Sequence, residues 1–389
     1  MTGFTKMGIS HYINRLQEGS ISRQLFAGRV IVISGPRRVG KTTLLKQIVA
    51  QSGKSCKILN GEDLSTAEVL ERRTVENYRS LLSDFEMLVV DEAQHIPEIG
   101  LIAKLIHDEL PEKQVILSGS SSFDLVQKTG EPLTGRKRLF ELLPFAEAEL
   151  WKEIPAERKT DQLRQRLVYG NYPEIFLLSS RQDKEEYLRD LRESYLMKDI
   201  LKFESLKSSD KVMSLLRLVA LQVGSELSYL ELGKQLGMSK NTVEKYLDLL
   251  SKAYVVYRIE GFSRNLRKEI SKSSRWYFYD NGIMNIVANN LDDLAIRNDT
   301  GRLWENYVIG ERLKHNLIRR DLSRMYFWRT YDRQEIDLIE ERGQALSAYE
   351  MKWKERHCAA PRAWANAYPD STFQVISPDN FHSFVGIEK

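Results

Sequence analysis

The chain has 389 residues, 42% of them apolar and 29% charged, and a formal net charge of +4. At roughly 100–200 residues per domain this accommodates two or three domains, and the balance is that of a globular chain rather than a disordered one. No apolar run approaches the roughly 18 residues of a membrane span, and residues Met1 to Lys6 lack the basic-then-apolar order of a secretory signal. Two cysteines, Cys56 and Cys358, are too few for a disulfide framework or a zinc cluster, so a reducing cytosolic compartment without a membrane partner is expected.

In chain order, short apolar runs alternate with helical stretches: Arg29–Ile33, Cys56–Leu59, Met87–Val90 and Gln114–Leu117 each predict a buried strand. Near-continuous apolar strands separated by helices imply a parallel sheet covered on both faces, an α/β domain over residues 1–160. Between the first strand and the helical run from Thr43 stands Gly35-Pro36-Arg37-Arg38-Val39-Gly40-Lys41-Thr42, which fits G-x-x-x-x-G-K-[ST] at every fixed position. Its glycines let backbone N–H groups close around phosphate oxygens, and the following helix N-terminus adds a favourable dipole. Lys41 is expected to meet the β- and γ-phosphates of ATP, and the Thr42 hydroxyl to ligate Mg²⁺. The third strand ends in Asp91-Glu92. Asp91 is expected in the Mg²⁺ shell, and Glu92 as the general base that polarises the attacking water. Ser118 and Ser120, at the tip of the fourth strand, are candidate γ-phosphate sensors, and Arg136 a candidate cation acting on its own or a neighbouring subunit's nucleotide.

Past Pro144 the rhythm turns helical and charged, giving a connector over 161–210 interrupted at Gly170-Asn171-Tyr172-Pro173. A winged-helix module is expected over 211–265. In it Leu230–Leu236 reads as a helix, Gly237-Met238-Ser239 as a turn with Ser239 as N-cap, and Lys240–Leu250 as a second helix with Val243, Tyr246, Leu247 and Leu250 on one face. Lys240, Asn241 and Lys245 would then face DNA, or the module packs as a scaffold beside the ATPase. From Tyr195 to Arg275, 15 Lys and Arg stand against 9 Asp and Glu, a bias that permits nucleic-acid binding without demanding it.

The ordered set Gly35 to Thr43, Asp91-Glu92, Ser118-Gly119-Ser120, Leu133-Thr134-Gly135-Arg136 and Gly170-Asn171-Tyr172-Pro173-Glu174 resembles the prokaryotic AAA-type ATPases that carry a C-terminal domain of unknown function. The resemblance covers most of the chain and implies an AAA-like core, a winged-helix segment and an α/β nuclease-like C-terminal domain over 266–389. In that last part Asp337 and Glu350 fall on neighbouring strands, Lys352 shares the face of Glu350, and Glu305 lies on the preceding helix. This set resembles a PD-(D/E)XK nuclease core, in which two acids share Mg²⁺ and the lysine orients water; a degenerate domain with ordinary salt bridges is the alternative. The six histidines show no ligand spacing. The expected function is ATP hydrolysis that switches or positions the C-terminal module, with DNA and a homo-oligomer as possible partners. An ATP-regulated DNA nuclease and a DNA-binding adaptor without cleavage are the alternatives.

Overall fold

The computed structural model describes residues 12–120, 132–197, 209–263, 274–330, 332–354 and 358–387. The first five strands are β1 (Val30–Ser34), β2 (Cys56–Asn60), β3 (Met87–Asp91), β4 (Gln114–Gly119) and β5 (Lys137–Glu141). They form one sheet in the order β2-β3-β4-β1-β5, and every pairing is parallel. Alternation explains why the inner strands read as unbroken apolar runs. Ile31, Ile33, Met87, Val89 and Ile116 pack on one face, against Leu44 and Ile48 of the helix Lys41–Ser52. Val30, Val32, Leu88, Val90 and Val115 pack on the other, against Ile99, Ile102 and Ile106 of the helix Ile99–Glu109. Both faces are dry, so each of these side chains contributes about 1.5–3 kcal/mol by leaving water. The fifth strand was not legible in sequence: Lys137-Arg138-Leu139-Phe140-Glu141 is largely charged, and it is held at the sheet edge by pairing with β1.

The second sheet has six strands in the order β11-β10-β9-β8-β6-β7. They are β6 (Val256–Gly261), β7 (Ser274–Phe278), β8 (Arg324–Arg329), β9 (Glu335–Arg342), β10 (Ala345–Met351) and β11 (Thr372–Ile376). The expected helix-turn-helix forms as the helices Tyr229–Leu236 and Lys240–Lys252. Gly237 supplies the left-handed turn at φ +61°, and the Ser239 hydroxyl accepts from Thr242 N at 3.1 Å. The two strands that follow, β6 and β7, do not close off a separate module, because β6 also pairs in parallel with β8. The boundary expected at 265/266 therefore falls inside one sheet. Part of the basic bias read over 195–275, including Arg264, Arg267, Lys268 and Lys272, lies outside the described residues.

A buried polar cluster joins the halves. Arg166, on the helix Lys159–Tyr169, grips Glu147 through Nε at 2.8 Å and a second nitrogen at 2.6 Å. From the helix Thr300–Arg319, the Tyr307 hydroxyl donates to Glu147 at 2.6 Å, and Glu311 accepts from Glu147 N at 2.6 Å. Lys314 donates to Glu311 at 2.7 Å and to Phe145 O at 2.9 Å. Asn171 bridges Phe145 O at 2.8 Å and Glu311 at 2.9 Å. One apolar cluster runs from Ile31 and Leu44 through Leu216 and Leu247 to Trp304, Phe327 and Ile376.

Leu247 is fully buried, whereas Lys245 beside it is exposed. Leu247→Ala is expected to lower the unfolding free energy by about 2–5 kcal/mol in a urea titration. Lys245→Ala should leave it within about 0.5 kcal/mol; equal effects would contradict this packing.

Candidate functional site

The phosphate loop begins where β1 ends. Gly35 is obligatory by space: a Cβ there would lie 1.9 Å from the carbonyl oxygen of Leu142. That oxygen stays close because Leu142 N donates to Ser34 O at 2.7 Å, extending the β1–β5 pairing. The loop then passes Arg38 at φ +63° and Gly40 at φ +91°, the residue that starts the helix Lys41–Ser52. The first-turn N–H groups of that helix have no carbonyl upstream, so they present a positive end to the loop hollow. Lys41 is buried, and its Nζ donates to Gly35 O at 2.9 Å and Pro36 O at 2.8 Å. Arg15 braces the loop from behind, donating to Val39 O at 2.8 Å and Leu143 O at 2.7 Å while paired with Glu149 at 2.9 Å.

The loop opens into a cavity of about 600 Å³ that is also lined by Thr42, Thr43 and Glu92. Its far wall is apolar and aromatic: Ile13, Phe145, Pro173, Leu177 and Tyr187. Pro173 is delivered by the interruption seen in the sequence at Gly170–Pro173. Gly170 has φ +76°, and a Cβ there would collide with the Asp280 carboxylate at 2.0 Å; that carboxylate accepts from Asn171 N at 2.7 Å. Arg38 lies at the cavity lip, 5.6 Å over the Tyr187 ring.

Asp91 is the meeting point of three elements. Thr42 Oγ1 donates to its Oδ2 at 2.5 Å, and Ser118 Oγ donates to its Oδ1. These hydroxyl and carboxylate oxygens are the hard donors that suit Mg²⁺. Glu92 follows at φ +49°, a conformation uncommon for a residue with a side chain. Its carboxylate accepts from Gln94 Nε2 at 2.6 Å, and the same amide donates to Ser120 Oγ at 3.1 Å. Both strand-tip serines thus reach the acidic pair, Ser118 directly and Ser120 through Gln94. Gln94 was not singled out from the sequence, nor was Gly61, where a Cβ would stand 2.3 Å from Glu92 O.

Arg136 is not part of this assembly. β5 runs parallel to β1, and Arg136 O accepts from Val30 N, at the end of β1 remote from the loop. Four residues of strand, about 13 Å, separate Val30 from Ser34. The guanidinium is bound instead to Asp108 at 2.8 Å. In its own subunit Arg136 is therefore out of reach of the phosphates, because strand direction, not sequence distance, decides which sheet edge a loop occupies.

The C-terminal acids do come together. The β9–β10 pairing puts Tyr349 opposite Leu338, and the same register brings Glu350 opposite Asp337. Met351 N donates to Asp337 at 2.8 Å, and Lys352 to Glu350 at 2.7 Å. Glu305 reaches in from the helix Thr300–Arg319, and all four line a cavity of about 890 Å³. Arg164 and Arg302 also line it, beside the acids Asp293 and Glu335; Arg297, in the same lining, has its guanidinium buried against Asp299 at 2.8 Å. Burial and the charges of Glu305 and Glu350 hold Asp337 well above the usual carboxylate range. Burial also raises Glu305, opposed by Arg275 and by the Tyr277 hydroxyl at 2.8 Å. The sequence reading missed Arg275. It is almost fully buried on β7, 3.8 Å from Glu305 and 3.7 Å from Asp337, and paired with Glu335 at 2.8 Å. Among the described residues no group of acids, histidines or cysteines is arranged to hold a metal ion. The pocket as it stands does not fit Mg²⁺; a guanidinium sits beside two of the carboxylates a metal would need.

Lys240, Asn241 and Lys245 are exposed on the outer face of their helix. His107 is bound to Asp108 at 2.9 Å and to Gly28 O at 3.1 Å, and His11 and His357 lie outside the described residues. No helix among the described residues is long and apolar enough to cross a membrane.

The raised Asp337 and Glu305 carboxyls carry a stability signature. A folded-state pKa above the unfolded one means the contribution is complete below the unfolded value and is lost as pH rises through the folded value. Asp337→Asn removes that loss. Its thermal midpoint relative to wild type is expected to climb as pH rises above about 4, where the unfolded carboxyl ionises; parallel curves would show that the acids do not strain the fold.

Residues 27–151 match a family model described as an AAA domain, and residues 160–294 and 300–375 match two models described as domains of unknown function. An uncharacterised protein of Mycobacterium tuberculosis is 27% identical over 85% of this chain and 72% of its own length. An uncharacterised protein of Methanocaldococcus jannaschii is 24% identical over 77% and 70%. A solved Walker-type ATPase of Pyrococcus abyssi overlies 71% of this chain and 96% of its own, with a TM-score of 0.48 and 15% identity. The AAA match spans the glycine loop, Asp91-Glu92, Ser118 and Ser120, so this part of the chain is similar to an AAA domain.

Proposed function

We propose that the chain binds and hydrolyses ATP, and that the nucleotide state of its P-loop domain controls the C-terminal module. The observation that carries this reading is the convergence of Thr42, Asp91 and Ser118 beside Glu92, at the mouth of a loop whose helix N-terminus faces the hollow. The triphosphate lies along Gly35 to Thr43, where backbone N–H groups and Lys41 balance its charge. Lys41 exchanges its bonds to Gly35 O and Pro36 O for phosphate oxygens, so the buried ammonium is solvated in either state. Thr42 and Asp91 would hold Mg²⁺, which would supply positive charge beside the phosphates. Glu92, oriented by Gln94, takes the proton of the attacking water, and Ser120 ties Gln94 to the tip of β4. The apolar wall of Ile13, Phe145, Pro173 and Leu177 suits a purine ring. Arg136, remote from its own loop, belongs in this reading to an interface between copies of the chain.

DNA is the proposed partner. Lys240, Asn241 and Lys245 are exposed on the second helix of a helix-turn-helix, and Arg164 and Arg302 stand in the lining of the acidic pocket. The alternative of an Mg-dependent nuclease has the clustered Glu305, Asp337, Glu350 and Lys352 in its favour and the position of Arg275 against it. Free Cys56 and Cys358 suit a reducing, cytosolic compartment.

Phosphate release tests the central reading. Glu92→Gln is expected to lower turnover by about 10²–10⁴-fold while ATP binding persists; undiminished turnover would remove Glu92 from the chemistry. For DNA, affinity measured against salt is expected to fall log-linearly, and the Lys240→Ala, Lys245→Ala double variant to flatten the slope by about 2. Binding indifferent to salt, or to these lysines, would exclude the helix-turn-helix as the contact.

A further inference from the structure

Where the helix Lys240–Lys252 ends, the chain turns through Tyr254 at φ +59°, the left-handed region that favours glycine. Yet Tyr254 is only 3% exposed, and its hydroxyl is doubly engaged. It hydrogen-bonds with Ser34 Oγ at 3.0 Å and donates to Glu141 Oε1 at 3.1 Å. Ser34 is the residue before the phosphate loop, and Glu141 ends the strand beside it. A phenol from the helix-turn-helix therefore stands under the nucleotide site, and glycine could not place one there.

From the Tyr254 ring a column of aromatics continues. Tyr279 meets it edge-on at 5.7 Å, Tyr257 lies 4.9 Å from Tyr279, and Tyr277 stacks on Tyr257 at 5.8 Å. Tyr257 and Tyr277 are direct partners across the β6–β7 pairing. The Tyr277 hydroxyl then donates to Glu305 in the carboxylate pocket at 2.8 Å. Side chains alternate along a strand, so Arg275 and Tyr277 share one face of β7, and Tyr279 follows at the next step. Arg275 is the guanidinium beside Glu305 and Asp337. One short segment thus touches the acids at one end and, through Tyr279, the residue beneath the phosphate loop at the other. Tyr257 also keeps its hydroxyl buried with no hydrogen-bond partner among the described residues, a group that stays in place only while its neighbours hold it.

We propose that this tyrosine column couples the nucleotide site to the carboxylate pocket, with Tyr254 as the positioning residue under the phosphate loop and Tyr277 as the positioning residue of Glu305. The proposal rests on the reading of the first site as an ATP site. Filling the phosphate loop moves Ser34 and Glu141, and Tyr254 moves with them. Close-packed rings shift together rather than deform, so β7 carries the displacement to Arg275 and Tyr277. Freed of Arg275, the acids become available to a ligand. Coupling of this kind is reciprocal: a change at Glu305 alters nucleotide affinity from the other side of the column.

A double-mutant cycle on the full chain tests it. The readout is the dissociation constant of a non-hydrolysable ATP analogue with Mg²⁺, by calorimetry, for wild type, Glu305→Ala, Tyr254→Phe and the pair, with thermal melts to establish that each is folded. Glu305→Ala is expected to change the constant about 5- to 10-fold in the wild-type background and less than about twofold in the Tyr254→Phe background. Should Tyr254→Phe not fold, Tyr277→Phe takes its place in the same cycle. No effect of Glu305→Ala, or the same effect in both backgrounds, overturns the coupling while tight analogue binding leaves the ATP reading standing. A folded chain that binds no analogue overturns both.

Discussion

Two acids and two cations, Glu147, Glu311, Arg166 and Lys314, are buried together where the P-loop domain meets the rest of the chain. Burying charge is costly unless each charge is paired and hydrogen-bonded. Here the formal charges cancel, and Tyr307, Asn171 and the backbone at Glu147 and Phe145 take up part of the remaining bonding capacity, while one Arg166 nitrogen and Asn171 Oδ1 stay buried without a partner among the described residues. Such a cluster adds little to stability compared with an apolar replacement, but removing one member alone costs about 3–5 kcal/mol. Its bonds tie the helix Thr300–Arg319 to the segment that follows β5 through Glu147 and Phe145.

Both cavities draw on the elements that this cluster ties together. The helix that contributes Tyr307, Glu311 and Lys314 to the cluster also carries Glu305 to the carboxylate pocket. Asn171, held by the same cluster, fixes the loop that brings Pro173 to the cavity beside the glycine loop. The far wall of that cavity is thus anchored to the C-terminal half, although the phosphate loop itself belongs to the first sheet. The two sites share a frame, and the tyrosine column is a second connection through the same frame on its other side.

What the sequence revealed, and what it hid, divides along physical lines. The phosphate loop and Asp91-Glu92 were legible because backbone closure needs glycine and the chemistry needs a lysine, a hydroxyl and two acids at set offsets. The inner strands were legible because both their faces are dry. The helix-turn-helix was legible through Ser239, Gly237 and the apolar face of Val243 and Leu247. β5 was not, because an edge strand leans on its neighbour and can remain charged. Arg136 followed the P-loop elements in sequence but is set by β5 at the opposite end of the sheet. Arg275 was invisible because an arginine reads as surface until its partners Glu305, Glu335 and Asp337, remote in sequence, are folded around it.

The parallel pairing of β6 with β8 bears on how this protein can be dissected. Strands that belong to the helix-turn-helix in sequence complete the sheet of the C-terminal region in space. A recombinant fragment cut at residue 265 would leave one side of β8 with unsatisfied amides and carbonyls, and would strip β6 of both neighbours. Such bare edges recruit other chains, so expression trials that treat the two regions as interchangeable cassettes would select for insoluble material. Lineages that exchanged one region without the other would meet the same barrier.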